Sequence, residues 1–265
     1  MLRIVVTAGL LFALVAASPA SAARIYVSGS PMSDRTVLVI TTSQDGRSLT
    51  RLGYRFVVRC TTLIEAHWSG TADRARGDQP ARLASRRQPR GTLGGTLEGV
   101  RRVDDGTIET IAAELTGTIR DRSARGRLDL RVTRVDATTG AVVHRCAETR
   151  FWTARRDPGR IYAGATSQGQ PMMLELVPSR TRLRRGYITW IESCDFPVAT
   201  GWSWMTITQS WPLKRGGSFT RTTAGRLAGR FRGGRATGTF HYASTDEETN
   251  HSCTTGDLTW TLRTG

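Results

Sequence analysis

The sequence predicts an all-β chain built as two tandem antiparallel β-sandwich or barrel domains related by internal duplication. Three observations carry that expectation: apolar and polar residues alternate with period two, residue markers recur in one order in both halves, and four cysteines divide two to a half. Alternation puts one set of side chains inward and the other outward on a pleated strand. In "GYRFVVRC", Tyr54, Phe56, Val58 and Cys60 share a face opposite Arg55 and Arg59. "GRLDLRV" sets Leu128, Leu130 and Val132 against Arg127, Asp129 and Arg131, and "DLTWTLR" turns Leu258, Trp260 and Leu262 inward.

The chain opens with one basic residue (Arg3), an apolar run from Ile4 to Ala17 and the small residues Ala20-Ser21-Ala22. That order is expected for a secretory signal peptide over residues 1–22, cut before Ala23. The run is short for a membrane span and no later segment approaches ~18 apolar residues, so no transmembrane segment is expected after cleavage.

The repeat follows. "RIYVSGSPM" from Arg24 is answered by "RIYAGATSQGQPM" from Arg160, and Cys60 and Trp68 by Cys194 and Trp202 at equal spacing. "LTGTIRDRSARGRLDL" from Leu115 lies over "LAGRFRGGRATGTFHY" from Leu227 without a gap, matching Gly117 to Gly229 and Gly126 to Gly238. "HRC" ending at Cys146 matches "HSC" ending at Cys253, and "WTAR" from Trp152 matches "WTLR" from Trp260. The turn residues Asp157-Pro158-Gly159 mark the joint. The expected domains are therefore residues 23–156 and 157–265. The paired Leu-x-Gly segments read as β-hairpins. "TIETIAAEL" resembles a short helix, but its counterpart "SFTRTTAGRL" does not, so both are read as strands. An arginine-rich stretch at about residues 71–95 has few large apolar residues and reads as an exposed loop.

Residues needed by both copies are expected to serve the scaffold. An even cysteine count in an exported chain reads as disulfides, and the duplication pairs Cys60 with Cys146 and Cys194 with Cys253. Trp68 and Trp202 are expected to pack near these bridges. His144 and His251 each stand two residues before a cysteine, on the same strand face, which suits zinc. The oxidising context favours the disulfide, and no metal or cofactor is expected.

Specialised function is expected where the copies diverge. Trp204 and Trp211 have no partner in the first half: rings exposed there would stack on sugar, whereas rings turned inward would fill a wider core, the more usual place for tryptophan. In the arginine-rich stretch, Arg82, Arg86, Arg87 and Arg90 would grip phosphate or carboxylate groups. The net charge of +16, with Lys214 the only lysine, favours polyanions in general, although arginine also accumulates in GC-rich genomes without a partner. No aromatics interleave with these arginines, so no specific nucleic acid is indicated. No G-x-S-x-G, H-E-x-x-H or phosphate-binding glycine loop occurs, so no catalytic residue is assigned. His67 and His241 have no flanking partner in the sequence, and the acidic run Asp246-Glu247-Glu248 lacks the pattern of a calcium loop.

The second half carries R-x-Y-x-G-x-T-S-Q-G (Arg160 to Gly169), a central Cys194, Gly217-Ser218-Phe219 and the ending C-T-T-G-x-L-T-W-T (Cys253 to Thr261). This layout resembles a class of uncharacterised exported β-sandwich repeats of GC-rich bacteria. The likeness is looser in the first half, where Ser-Gln-Gly is missing after Tyr26. It implies a fold and an extracytoplasmic location, and no catalytic residue. The expected function is thus a non-catalytic exported protein, secreted or held at the cell envelope, that binds polysaccharide or an acidic wall polymer. The alternatives are a structural or protein-binding envelope component and a secreted hydrolase whose carboxylates converge only in the fold.

Overall fold

The computed structural model describes residues 23–28, 36–60, 65–74, 81–103, 106–195, 198–222, 225–245 and 251–265, so the expected signal peptide and the acidic run at Asp246 lie outside the described residues. Among the described residues every regular element is a strand. The first sheet contains β1 (Arg24–Ser28), β2 (Thr36–Thr42), β3 (Leu49–Arg59), β4 (Glu65–Asp73), β5 (Ala81–Ala84), β6 (Thr92–Arg102), β7 (Thr107–Ile119), β8 (Ser123–Asp136) and β9 (Val142–Arg155). The second contains β10 (Ile161–Thr166), β11 (Pro171–Leu176), β12 (Arg182–Asp195), β13 (Val198–Ile207), β14 (Trp211–Pro212), β15 (Ser218–Thr222), β16 (Gly225–Arg232), β17 (Arg235–Thr245) and β18 (Ser252–Arg263).

Both sheets are up-and-down meanders that curl until the last strand meets the first. β9 pairs antiparallel with β1, and β18 with β10. With every pair antiparallel, β4 and β5 must run the same way, as two pieces of one stave. β13 and β14 repeat the device, both pairing with β12. In the first sheet the lower piece is fastened to the start of β3, where Gln88 N donates to Arg47 O at 2.7 Å and Leu49 N to Ser85 Oγ at 3.1 Å. Each sheet is therefore barrel-like with about eight staves, a size whose interior side chains just fill. The arginine-rich stretch is not the loop its composition suggests. It holds β5 and the start of β6, with Ala81, Leu83 and Leu93 buried. Four residues of alternation (Ala81 and Leu83 in, Arg82 and Ala84 out) were masked by the surrounding arginines and prolines.

The duplicated residues build the same parts twice. Gly117 faces Gly126 across the β7–β8 ladder, and Gly229 faces Gly238 across β16–β17. Over each pair lies an indole: a methyl group at Gly117 would stand 2.8 Å from the Trp152 ring, and one at Gly229 or Gly238 would overlap that of Trp260. The Tyr26 hydroxyl donates to Arg120 O at 3.0 Å and that of Tyr162 to Gly233 O at 3.1 Å, so each repeated opening pins the turn of its own Leu-x-Gly hairpin. The disulfides are Cys60–Cys146 and Cys194–Cys253, as the duplication requires. Trp68 shares a core with Cys146, whereas the Trp202 side chain lies outside the described residues.

Two separate apolar cores fill the barrels, one around Tyr26, Phe56, Trp68 and Leu128, the other around Trp190, Phe240 and Trp260. A third, small cluster lies between them. Ile25, Val27 and Val39, on the outer face of β1 and β2, meet Ile161, Ala163 and Met173 on β10 and β11. The repeat aligns Ile25 with Ile161 and Val27 with Ala163. The cross-strand partners Val27↔Val39 and Ala163↔Met173 then complete the match. Each barrel thus uses the same face on the other, an arrangement of the isologous kind. This explains why "TVLVI" and "PMML" do not alternate: strands buried on both faces read as continuous apolar runs. Polar contacts frame the cluster. The guanidinium of Arg55 sits 3.7 Å above the Trp204 ring, and buried Glu175 accepts from Arg185 at 2.5 Å and from Arg155 and Arg184 at 3.3 Å each.

Candidate functional site

Three hairpin turns and the start of β1 meet at one end of the first barrel and enclose a cleft of about 700 Å³. Its walls are Arg24, Asp45, Arg47, Arg87, Arg90, Arg120 and Asp121, with Gly46, Gly91 and Ile119 between them. Local chemistry fixes each turn. Asp45 Oδ1 accepts from Ser43 Oγ at 2.6 Å and from Arg47 N at 3.1 Å, an Asx-type closure of the β2–β3 turn. Gly46 takes a φ of +72° that an L side chain would strain. The β5–β6 turn is tied to this one through Gln88 and Arg47. It is tied to the β7–β8 turn by Ile119 N donating to Gly91 O at 2.8 Å. The Tyr26 hydroxyl holds Arg120 O from inside the barrel. The floor is consequently stapled.

Five arginines face two aspartates here, a local surplus of three positive charges. Both carboxylates are occupied: Asp45 Oδ2 by Arg87 at 3.1 Å, Asp121 Oδ1 by Arg156 at 3.3 Å. Hydrogen bonding from Ser43, then from Arg47 N, with Arg87 beside it, holds the Asp45 carboxyl below its ordinary pKa. The lining contains neither a nucleophile–base pair nor a histidine. Chemically, such a set offers planar donor forks of the kind that match phosphate and carboxylate oxygens.

Of the four arginines singled out from the sequence, Arg87 and Arg90 line the cleft. Arg82, on the outer side of β5, and Arg86 are exposed elsewhere. Arg24, Arg47 and Arg120 were missed because they come from strand and turn ends far apart in the chain. The two tryptophans part company. Trp211 is 4% exposed, enclosed in the second core with its ring centroid 6.4 Å from that of Phe219, so it offers no face to a ligand. Trp204 is 46% exposed, but Arg55 occupies one face of its ring.

Other clusters resolve into scaffold. Glu192, Cys194 and Cys253 stand within ligand distance of one another, yet both sulfurs belong to one disulfide and present no thiolate. Glu192 instead accepts from Trp190 Nε1 at 3.2 Å and Ser203 Oγ at 2.8 Å. His241 Nδ1 lies 3.2 Å from Asp257 Oδ1 across the β17–β18 ladder. Buried Glu109 joins Arg101 (2.5 Å) and Arg134, with Arg101 resting 4.5 Å over the Trp68 ring. No helix among the described residues is long and apolar enough to cross a membrane. No protein-family model, curated protein or solved structure matches the chain.

Proposed function

We propose that this is an exported, non-catalytic binding protein for an acidic polymer at or outside the cell envelope, and that the arginine cleft of the first barrel is its binding site. One observation carries the reading: five arginines from four separate chain segments line one concavity whose backbone is cross-tied. Converging like charges cost repulsion unless an anion offsets it, and a concave site focuses the field that draws such an anion in. Two intrachain disulfides suit an oxidising, extracytoplasmic compartment. Burial of Trp211 and capping of Trp204 weigh against the tryptophans as a sugar platform.

The test separates the cleft from the general charge of the chain. Binding of polyphosphate and of polygalacturonate is measured against salt for the wild type, an Arg87→Glu/Arg90→Glu double variant and an Arg82→Glu/Arg86→Glu double variant. Both variants change net charge equally. The cleft variant loses affinity far more, and its log–log salt slope falls by about one unit per arginine removed. Equal losses in the two variants would reduce the interaction to non-specific attraction.

A further inference from the structure

A different face of the first barrel carries a second candidate site. Phe151, in the middle of β9, is 85% exposed. A single exposed apolar residue asks for no explanation, but this one is the cross-strand partner of Arg127 and stands two residues from Thr149, both of which line a concavity of about 510 Å³ on the outer surface of β6 to β9. Register puts Thr116, Arg127 and Phe151 in one outward row across β7, β8 and β9, and Glu114, Asp129 and Thr149 in the next. The second row is wired to the first. Arg127 donates to Asp129 Oδ1 at 2.8 and 3.0 Å, and Thr149 Oγ1 donates to the same oxygen at 2.5 Å. Hydrogen bonds from Arg127, then Thr149, hold the Asp129 carboxyl below its ordinary pKa, so it remains an acceptor. The repeat places Arg226, Thr239, His241 and Thr259 where this face has Glu114, Arg127, Asp129 and Phe151. The second barrel therefore lacks the aromatic and has no carboxylate at the Glu114 and Asp129 positions; its one acid on the matching rows, Asp257 at the Thr149 position, lies against His241.

We infer that this face binds a neutral polysaccharide, with Phe151 stacking on a sugar ring and the Asp129–Arg127 pair and Glu114 directed at its hydroxyl groups. The chemistry excludes the other occupants in turn. Glu98, Glu114 and Asp129 oppose a polyanion, including nucleic acid. A protein partner would need a broader apolar centre than one ring amid threonines and charged pairs. A sugar ring has an apolar face that matches an aromatic plane, and its vicinal hydroxyls match carboxylate acceptors and guanidinium donors set side by side.

Affinity electrophoresis through gels containing a neutral glucan, a galactomannan or a xylan tests this, using wild type, Phe151→Ala, Phe151→Trp and the Arg87→Glu/Arg90→Glu variant. At least one gel should retard the wild type. Phe151→Ala weakens that retardation on the order of tenfold, a stacking contribution of about 1.4 kcal/mol. Phe151→Trp retains it, and neither 0.5 M-range salt (roughly a 4 Å Debye length) nor the cleft variant changes it. Near-ultraviolet circular dichroism checks that Phe151→Ala stays folded, as an exposed position should. Wild type migrating like Phe151→Ala in all three gels overturns the inference, as does retardation abolished by salt. Either result leaves the acidic-polymer reading untouched, since that binding is salt-sensitive and depends on Arg87 and Arg90.

Discussion

The six-membered ring of Trp260 occupies the space in which a side chain of Gly229 would stand. The glycine is kept bare by its neighbour, and Trp152 does the same over Gly117 in the other barrel. Gly229→Ala or Gly238→Ala therefore overpacks the second barrel, at about 1–3 kcal/mol, and Trp260→Ala leaves a void costing about 3–5 kcal/mol. The Nε1–H groups of Trp152 and Trp260 have no hydrogen-bond acceptor among the described residues, so Trp260→Phe is expected to cost less than Trp260→Ala by more than area alone predicts. Urea unfolding of the four variants provides the comparison.

The bridges close loops with sequence separations of 86 and 59 residues. In the chain-entropy picture each removes about 4–5 kcal/mol of freedom from the unfolded chain. A non-reduced digest should yield the Cys60–Cys146 and Cys194–Cys253 peptides and no free thiol. Reduction should lower the melting temperature in both barrels, and replacing one pair by serines should lower it mainly in one.

Glu175 is 2% exposed and sits among Arg155 of the first barrel and Arg184 and Arg185 of the second. Glu175→Gln leaves three guanidinium groups facing one another at the contact. The expected loss is about 1–3 kcal/mol, below the usual figure for a fully buried pair because Arg155 and Arg184 are half in solvent. It should appear as easier cleavage near Asp157-Pro158-Gly159 in limited proteolysis.

Alkaline pH should act through two phenols. Burial raises the pKa of Tyr54 and of Tyr187 above the ordinary 10.0, with Arg101 and Arg55 respectively pulling the other way. A folded-state pKa above the unfolded one means the unfolded chain releases its proton first. The associated stability is complete below pH 10 and is lost as pH rises toward the folded values. Stability measured between pH 8 and 12 should fall more gently in Tyr54→Phe/Tyr187→Phe than in wild type (a window of about two units on either side of the ordinary phenol pKa).

The scaffold was legible because its requirements are strict. Paired glycines under an indole, a tyrosine pinning a turn and a bridged cysteine pair tolerate few substitutes, so they survive in both halves as matching letters. The arginine cleft was half legible. Arg87 and Arg90 stand in a visible run, but Arg24, Arg47 and Arg120 join them only because strand ends converge when the sheet closes. Phe151 was invisible for another reason: alternation says that it points outward from β9, not that nothing covers it. Trp211 was left open between a ligand face and the core because a two-residue strand between turns has no periodicity to reveal its inward face.

The matched packing of Ile25 on Ile161 has a historical meaning. A single barrel would present this apolar patch bare, and the patch is self-complementary because each half offers the other the same face. Joining two such subunits by a linker as short as Arg156–Arg160 freed them from having to be identical. With two copies in one chain, one half carries arginines at its rim and an aromatic on its flank where the other carries threonine and histidine, a divergence that a dimer encoded by a single unit could never reach.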